Sequence, residues 1–247
     1  MGRYREFIPY TSSTNQYALE KLKEIPLPLE GSLYFTEDQQ AGRGQAGNNW
    51  FSVPNGSFTG SYVLYPHFLP SNELHRITQV AALAVSKSLE QYKPEGNIQI
   101  KWPNDIVVKG RKICGILTEN RWLGDRFVGM VCGIGVNLNI DSFPEAKAPT
   151  AVSLHTLIGK KTEATDFIET LSLHLEQGYL KLKSAHFTEI ESDYLSKLYR
   201  YKEWGLYDRG KGPEKARIEG VDSVGRLQLL FETGLTEVFN LKEIRFI

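Results

Sequence analysis

Residues 98–139 read IQIKWPNDIVVKGRKICGILTENRWLGDRFVGMVCGIGVNLN. Within them Ile98 to Lys101, Ile106 to Val108, Ile113 to Glu119 and Phe127 to Asn139 are rich in the residues that favour strands. Lys109-Gly110 and Gly124-Asp125 sit between these runs as hairpin turns. Parallel strands need a crossover of a dozen or more residues, so links this short predict an antiparallel meander.

On the N-terminal side, Ser12, Ser13 or Thr14 can cap a helix through Tyr17, Leu19 and Leu22, stopped by Ile25-Pro26-Leu27-Pro28. Leu33-Tyr34-Phe35 and Ser57 to Tyr65 read as strands, joined through the glycine-rich stretch 42–47. Between Asn72 and Tyr92 the residues Leu74, Ile77, Ala81, Ala84, Val85 and Leu89 recur at helical spacing, with Ser71 or Asn72 as N-cap. On the C-terminal side two helices are predicted over 164–184 and 187–199. After Tyr201 the pattern changes to short strands punctuated by Gly220, Gly225 and Gly234, the spacing of a small β-barrel. A module of that size needs a neighbour to pack on. The expected division is 1–200 and 201–247.

The chain has 247 residues, with Lys plus Arg and Asp plus Glu each totalling 29, so no net field steers it to nucleic acid or membrane. An apolar fraction of 41% excludes intrinsic disorder. Cys114 and Cys132 lie in apolar strand-like runs and are expected reduced and buried, not as a disulfide framework. The start of the chain lacks the apolar stretch of a signal peptide, and the run Val128 to Val136 is far shorter than the ~20 residues of a membrane helix. These features predict a soluble, cytoplasmic protein. The histidines at 67, 75, 155, 174 and 186 have no ligand-like spacing, and no metal site is expected.

Gly42-Arg43-Gly44-Gln45-Ala46-Gly47 satisfies G-x-G-x-x-G, but Asn48 to Gly56 offers no helix, so the dinucleotide-binding reading fails. Lys101-Trp102-Pro103-Asn104-Asp105 places a cation, an aromatic, a proline and a carboxylate at a strand end. Lys112 opens the apolar strand Ile113-Cys114-Gly115-Ile116-Leu117, and Gly133-Ile134-Gly135-Val136-Asn137 sets two glycines and an amide in a buried strand. Taken singly, these are a solvated hairpin corner, a gatekeeper charge and close backbone approach. Together they supply cations for anionic oxygens, an aromatic and an amide for a flat base, and glycines for close approach. That inventory suits a nucleotide plus a carboxylate.

The order and spacing of Ser13-Thr14-Asn15, Gln39 to Gly44, Lys101 to Asp105, Lys112 to Leu117 and Gly133 to Asn139 resemble biotin protein ligase. The resemblance implies an α+β fold, with a mixed, mainly antiparallel sheet and flanking helices as in class II aminoacyl-tRNA synthetases, followed by an SH3-like barrel. It implies that Ser13, Thr14 and Gln39 bond the ureido group of biotin, with Gly42, Gly115 and Ile116 lining that pocket. Arg43 and Lys112 would hold the biotin carboxylate and the α-phosphate, and Lys101 the other phosphates. Trp50 and Asn137 would meet adenine, with Gln45, Asn48 and Asn104 nearby. Asp105 would orient the incoming amine, or else close an Asx-turn at the hairpin corner. The substrates implied are ATP with Mg²⁺, biotin, and a lysine of a biotin carboxyl carrier domain. A homodimer through a sheet edge is also open.

Two departures from the family pattern stand out. Gln45 and Asn48 occupy positions where many members carry arginine, which predicts looser retention of the adenylate. The chain also starts within a few residues of the first motif, which predicts no winged-helix DNA-binding domain and no nucleic-acid ligand. Lipoate ligases share the fold, but their R-x-x-G-G-G and His-Asp-x-Gly-Asn elements are missing. A noncatalytic biotin or nucleotide sensor would be expected to lose the phosphate cations, whereas Arg43, Lys101 and Lys112 are all present.

Overall fold

The computed structural model describes residues 1–247, apart from the side chain of Ala46. Strands β1 (Arg5–Phe7), β2 (Leu33–Thr36), β3 (Ser57–Leu64), β4 (Ile98–Lys101), β5 (Asp105–Val108), β6 (Arg111–Leu123) and β7 (Arg126–Asn137) form one sheet. Its order is β1-β2-β3-β7-β6-β5-β4. Only β1 and β2 run parallel; every other neighbour is antiparallel. The sheet is thus mixed and mainly antiparallel, and β4 to β7 are the expected meander. Lys109 and Gly110 both adopt left-handed backbone, φ 51° and 72°, which matches the twist of a tight two-residue hairpin.

Helix α1 (Thr14–Lys21) is capped by Ser13, whose hydroxyl accepts from the Gln16 N–H. Helix α2 (His75–Glu90) departs from the expected capping. Ser71 and Asn72 belong to a 3₁₀ turn, Ser71–Glu73, and the helix follows Leu74 with no side-chain cap. Leu74, which joins the turn to the helix, accepts from the Ile77 N–H at 3.1 Å, so a backbone carbonyl takes this donor in place of a side-chain cap. A five-residue helix α3 (Leu154–Ile158), absent from the sequence reading, is held by a capping box between Ser153 and Thr156. Helices α4 (Ala164–Lys183) and α5 (Phe187–Ser196) match expectation and pack on α2.

The C-terminal strands β8 (Trp204–Asp208), β9 (Pro213–Val221), β10 (Leu227–Phe231), β11 (Thr236–Phe239) and β12 (Arg245–Phe246) form a second antiparallel sheet, ordered β11-β10-β9-β8-β12. This is compatible with an SH3-like module. One apolar cluster runs from Ile77, Ile106 and Ile134 through Tyr194 and Leu198 to Tyr207, Ile218, Leu229 and Phe239. The second sheet therefore shares its core with the first. The buried Trp102 adds a directed link, its indole N–H donating to Gly225 C=O at 3.0 Å.

Cys114 and Cys132 are free and fully buried. Burial raises both thiols, Cys132 to about 12 and Cys114 well above its usual value, so neither is a nucleophile near neutrality. No helix among the described residues is long and apolar enough to cross a membrane.

Candidate active site

Register builds the floor of the site. Across β3, β7 and β6, Thr59 faces Gly135, which faces Gly115, and Ser61 faces Gly133, which faces Leu117. Residues directly opposite share a face, so three glycines lie together on one side of the sheet. A Cβ on Gly133 would sit 2.0 Å from Asn15 Oδ1, and one on Gly135 would sit 2.6 Å from Trp50 Cε2. Gly115 leaves room for the same indole and for Lys112 Nζ, which lie 3.1 and 3.3 Å from the place of its Cβ. The close approach expected at these glycines is thus made by the Trp50 ring and the Asn15 amide. A cavity of about 220 Å³ opens above them.

One wall is neutral and polar. Gln39 Oε1 accepts from the Thr14 N–H at 2.9 Å and from its hydroxyl at 3.3 Å. Ser61 Oγ lies 2.8 Å from Thr14 Oγ1 and 2.6 Å from Asn15 Oδ1. Asn15 Nδ2 donates to Leu117 C=O at 3.0 Å and to Glu119 Oε2 at 2.8 Å. Arg43 Nη2 meets the same carboxylate oxygen at 3.1 Å. Ser13 lines the cavity as well as capping α1.

The opposite wall is charged. Lys112 Nζ lies 2.7 Å from Asp105 Oδ1 and 5.6 Å from the centre of the Trp50 ring. Asp105 therefore forms an ion pair with Lys112, and Asn104 holds the corner: its Nδ2 donates to Ile116 C=O at 2.6 Å, and its C=O accepts from Ile116 N–H at 2.9 Å. Gln45, Asn48 and Ile116 also line the cavity. The Trp50 indole N–H and Gln45 Oε1 are buried without a hydrogen-bond partner, the condition of groups that wait for a ligand or water.

Three expected residues stand off the cavity wall. Lys101 points its ammonium at the Phe246 ring, 5.1 Å from its centre, and desolvation lowers its pKa despite the nearby Asp105. Asn137 donates to Val152 C=O at 3.1 Å while its Oδ1 stays buried and unpartnered. Gly42 makes the loop crossing, since a Cβ there would lie 2.7 Å from Trp50 C=O and 2.8 Å from Gln39 Nε2. Conversely, Asn15, Thr59, Leu241 and Lys242 line the cavity, and Ser61 and Glu119 tie its wall, none of them expected as site residues. The alternating Ser57, Thr59 and Ser61 of β3 could have flagged a polar face. Nothing local marks Leu241 and Lys242, which arrive between β11 and β12 of the second sheet.

Residues 7–137 match the profile of the biotin/lipoate A/B protein ligase family. The chain belongs to that family. It is 34% identical to the bifunctional ligase/repressor BirA of Bacillus subtilis, over 97% of this chain and 73% of that one. It is 32% identical to the biotin-[acetyl-CoA-carboxylase] ligase of Paracoccus denitrificans, over 89% and 91%. Among solved structures, the Aquifex aeolicus biotin protein ligase with biotin and ATP superposes with a TM-score of 0.80 at 25% identity, covering 99% of this chain and all of that one.

Proposed function

We propose that this protein is an ATP-dependent biotin protein ligase that forms biotinyl-5′-AMP and transfers biotin to a lysine of a carrier domain. One observation carries the reading: a neutral hydrogen-bonding wall and two cations, Arg43 and Lys112, border a single cavity. A neutral head with an anionic tail is the complement of that arrangement. Ser13, Thr14 and Gln39 take the ureido group, with Gly42, Gly115 and Ile116 shaping the pocket. An analogue lacking that group would strand buried donors and acceptors, which is how such a pocket discriminates.

In the first step a biotin carboxylate oxygen attacks the α-phosphorus of ATP and pyrophosphate leaves. Lys112 and Arg43 offset the repulsion between two anions, and their positive charge stabilises the oxygens where charge gathers. Trp50 offers adenine a stacking face, while Gln45, Asn48 and Asn104 supply polar contacts, with Asn137 set behind them. Lys101 serves the outer phosphates. In the second step the amine of the acceptor lysine attacks the acyl carbon and AMP leaves, with Asp105 orienting that amine.

Among the described residues no group of three or more His, Cys, Asp or Glu could hold a metal. The carboxylates of Asp105 and Glu119 are already paired with Lys112 and Arg43. Mg²⁺ would enter with the nucleotide, held by its phosphate oxygens. We take the acceptor to be a biotin carboxyl carrier protein in the cytoplasm, with no nucleic-acid ligand and with a homodimer as the assembly to test.

Biotin-dependent exchange of labelled pyrophosphate into ATP tests the first step. Exchange is expected in the wild type, with a loss of about 100-fold or more in Lys112→Ala, the scale seen when one preorganised charge-stabilising group is removed. Biotin binding without exchange would instead mark a sensor.

A further inference from the structure

Ser61, Asn15, Glu119 and Arg43 form one continuous run of hydrogen-bonded side chains to the loop cation, and it starts beside Thr14 and Gln39 on the neutral wall. Building on the ligase reading, we propose that Glu119 is a positioning residue that fixes Arg43 at the reacting end of the cavity and ties its place to the ureido wall.

The fixed post of this arrangement is Asn15. It is 4% exposed, and both ends of its amide are bound: Oδ1 by the Ser61 hydroxyl, Nδ2 by Leu117 C=O and Glu119. Gly133 gives it the only space it has on the sheet, since a Cβ there would collide with Asn15 Oδ1. Arg43 has the opposite character. It sits in an irregular loop with its side chain 44% exposed, free to sample many rotamers unless held. Glu119, from the middle of β6, joins the two, because one oxygen, Oε2, accepts from Asn15 Nδ2 at 2.8 Å and from Arg43 Nη2 at 3.1 Å.

Glu119 takes one of the two Nη2 N–H donors and so leaves one two-donor edge of the planar fork for a substrate anion; it orients the guanidinium without using it up. An immobilised cation is worth more to a transition state than a wandering one, because its ordering precedes the reaction. The dependence is sharp in this chain: within residues 42–50 the sequence carries Gln45 and Asn48 and no cation besides Arg43.

The test uses pyrophosphate exchange in the full chain with Glu119→Leu, Glu119→Gln, Glu119→Asp, Arg43→Ala and the Glu119→Leu/Arg43→Ala double variant. Glu119→Leu should lower kcat by about 100-fold, the cost of a misplaced group, while KM for biotin moves little. Glu119→Gln keeps an oxygen at the same reach and should stay within about threefold of wild type. Glu119→Asp keeps the charge, loses the reach, and should fall with Leu, which separates geometry from charge even if Leu unfolds the chain. In the Arg43→Ala background Glu119→Leu should cost nothing further. Equal losses in Gln and Leu, or additive losses in the double variant, overturn the proposal. Tryptic cleavage after Arg43 in the ligand-free protein gives a readout independent of activity: it should be faster in Leu and Asp than in wild type and Gln, and equal rates would also overturn it. A wild type without exchange would refute the ligase reading, while the cleavage rates would still decide the positioning role.

Discussion

Gly135 shows how much of the site rests on an absent side chain. Its pairing with Gly115 and Thr59 leaves a bare strip on which the Trp50 ring lies, 2.6 Å from where a Cβ would stand. Gly135→Val should expel the indole, raise KM for ATP by about tenfold, the order expected when one stacking contact is lost, and leave the melting temperature nearly unchanged or higher, because glycine weakens a strand interior. Unaltered nucleotide kinetics would show that Trp50 has no part in the site. Gln45 and Asn48 invite the reverse change. With arginine at both, the bound adenylate should dissociate more slowly; a dissociation rate equal to that of the wild type would show that their identity does not govern retention. At this scale the sequence marks residues whose chemistry is conspicuous beside glycine or proline, such as Arg43, Lys112 and Asp105. It hides Glu119 and Ser61, whose roles come from partners across strands, and it does not show Lys101 set against Phe246, back from the cavity wall.

Elements were readable where a periodic run was long or a turn had distinctive chemistry. The meander from β4 to β7 follows from four apolar runs and two turns containing glycine, and α2 from its helical spacing. β1, three residues long, and α3, five residues long, carry too little pattern to be seen. The start of α2 differs from the capping pattern in the sequence because a 3₁₀ turn there replaces the side-chain cap. That same start carries a pH-sensitive contact: the His75 ring packs on Gly225 of the second sheet, where a Cβ would lie 2.8 Å from it. Burial is the main cause that holds the His75 pKa below its ordinary 6.5. The unfolded chain then binds more protons than the folded one through this window, so stability rises with pH and is lost as pH falls from about 6.5 through the folded pKa. The melting temperature should drop less between pH 7 and pH 5 in His75→Gln than in wild type; parallel curves would exclude His75 as a source of the acid sensitivity. His174, whose pKa burial also lowers, adds to both curves alike.

At the scale of the whole molecule, the change of pattern near residue 200 is visible in the sequence, but the consequence of that boundary is not. The second sheet shares one apolar core with the first, its Gly225 carbonyl receives the Trp102 indole, and its Leu241 and Lys242 border the reaction cavity. Residues on both sides of that change of pattern therefore build one core and one cavity rim. A small module with little surface to bury alone gains its stability from that shared core. No local pattern could show this, because contacts such as Trp102 to Gly225 and Tyr199 to Phe246 join segments far apart in the chain. Whether one neutral wall and two cations select biotin and activate its carboxylate can be read from ATP-dependent transfer. The purified protein and its Lys112→Ala variant would be offered biotin, lipoate and octanoate with matched apo carrier domains. The biotin carrier alone should be labelled, and the variant should label nothing; labelling by lipoate or octanoate, or biotin bound without labelled carrier, would rule this selection out.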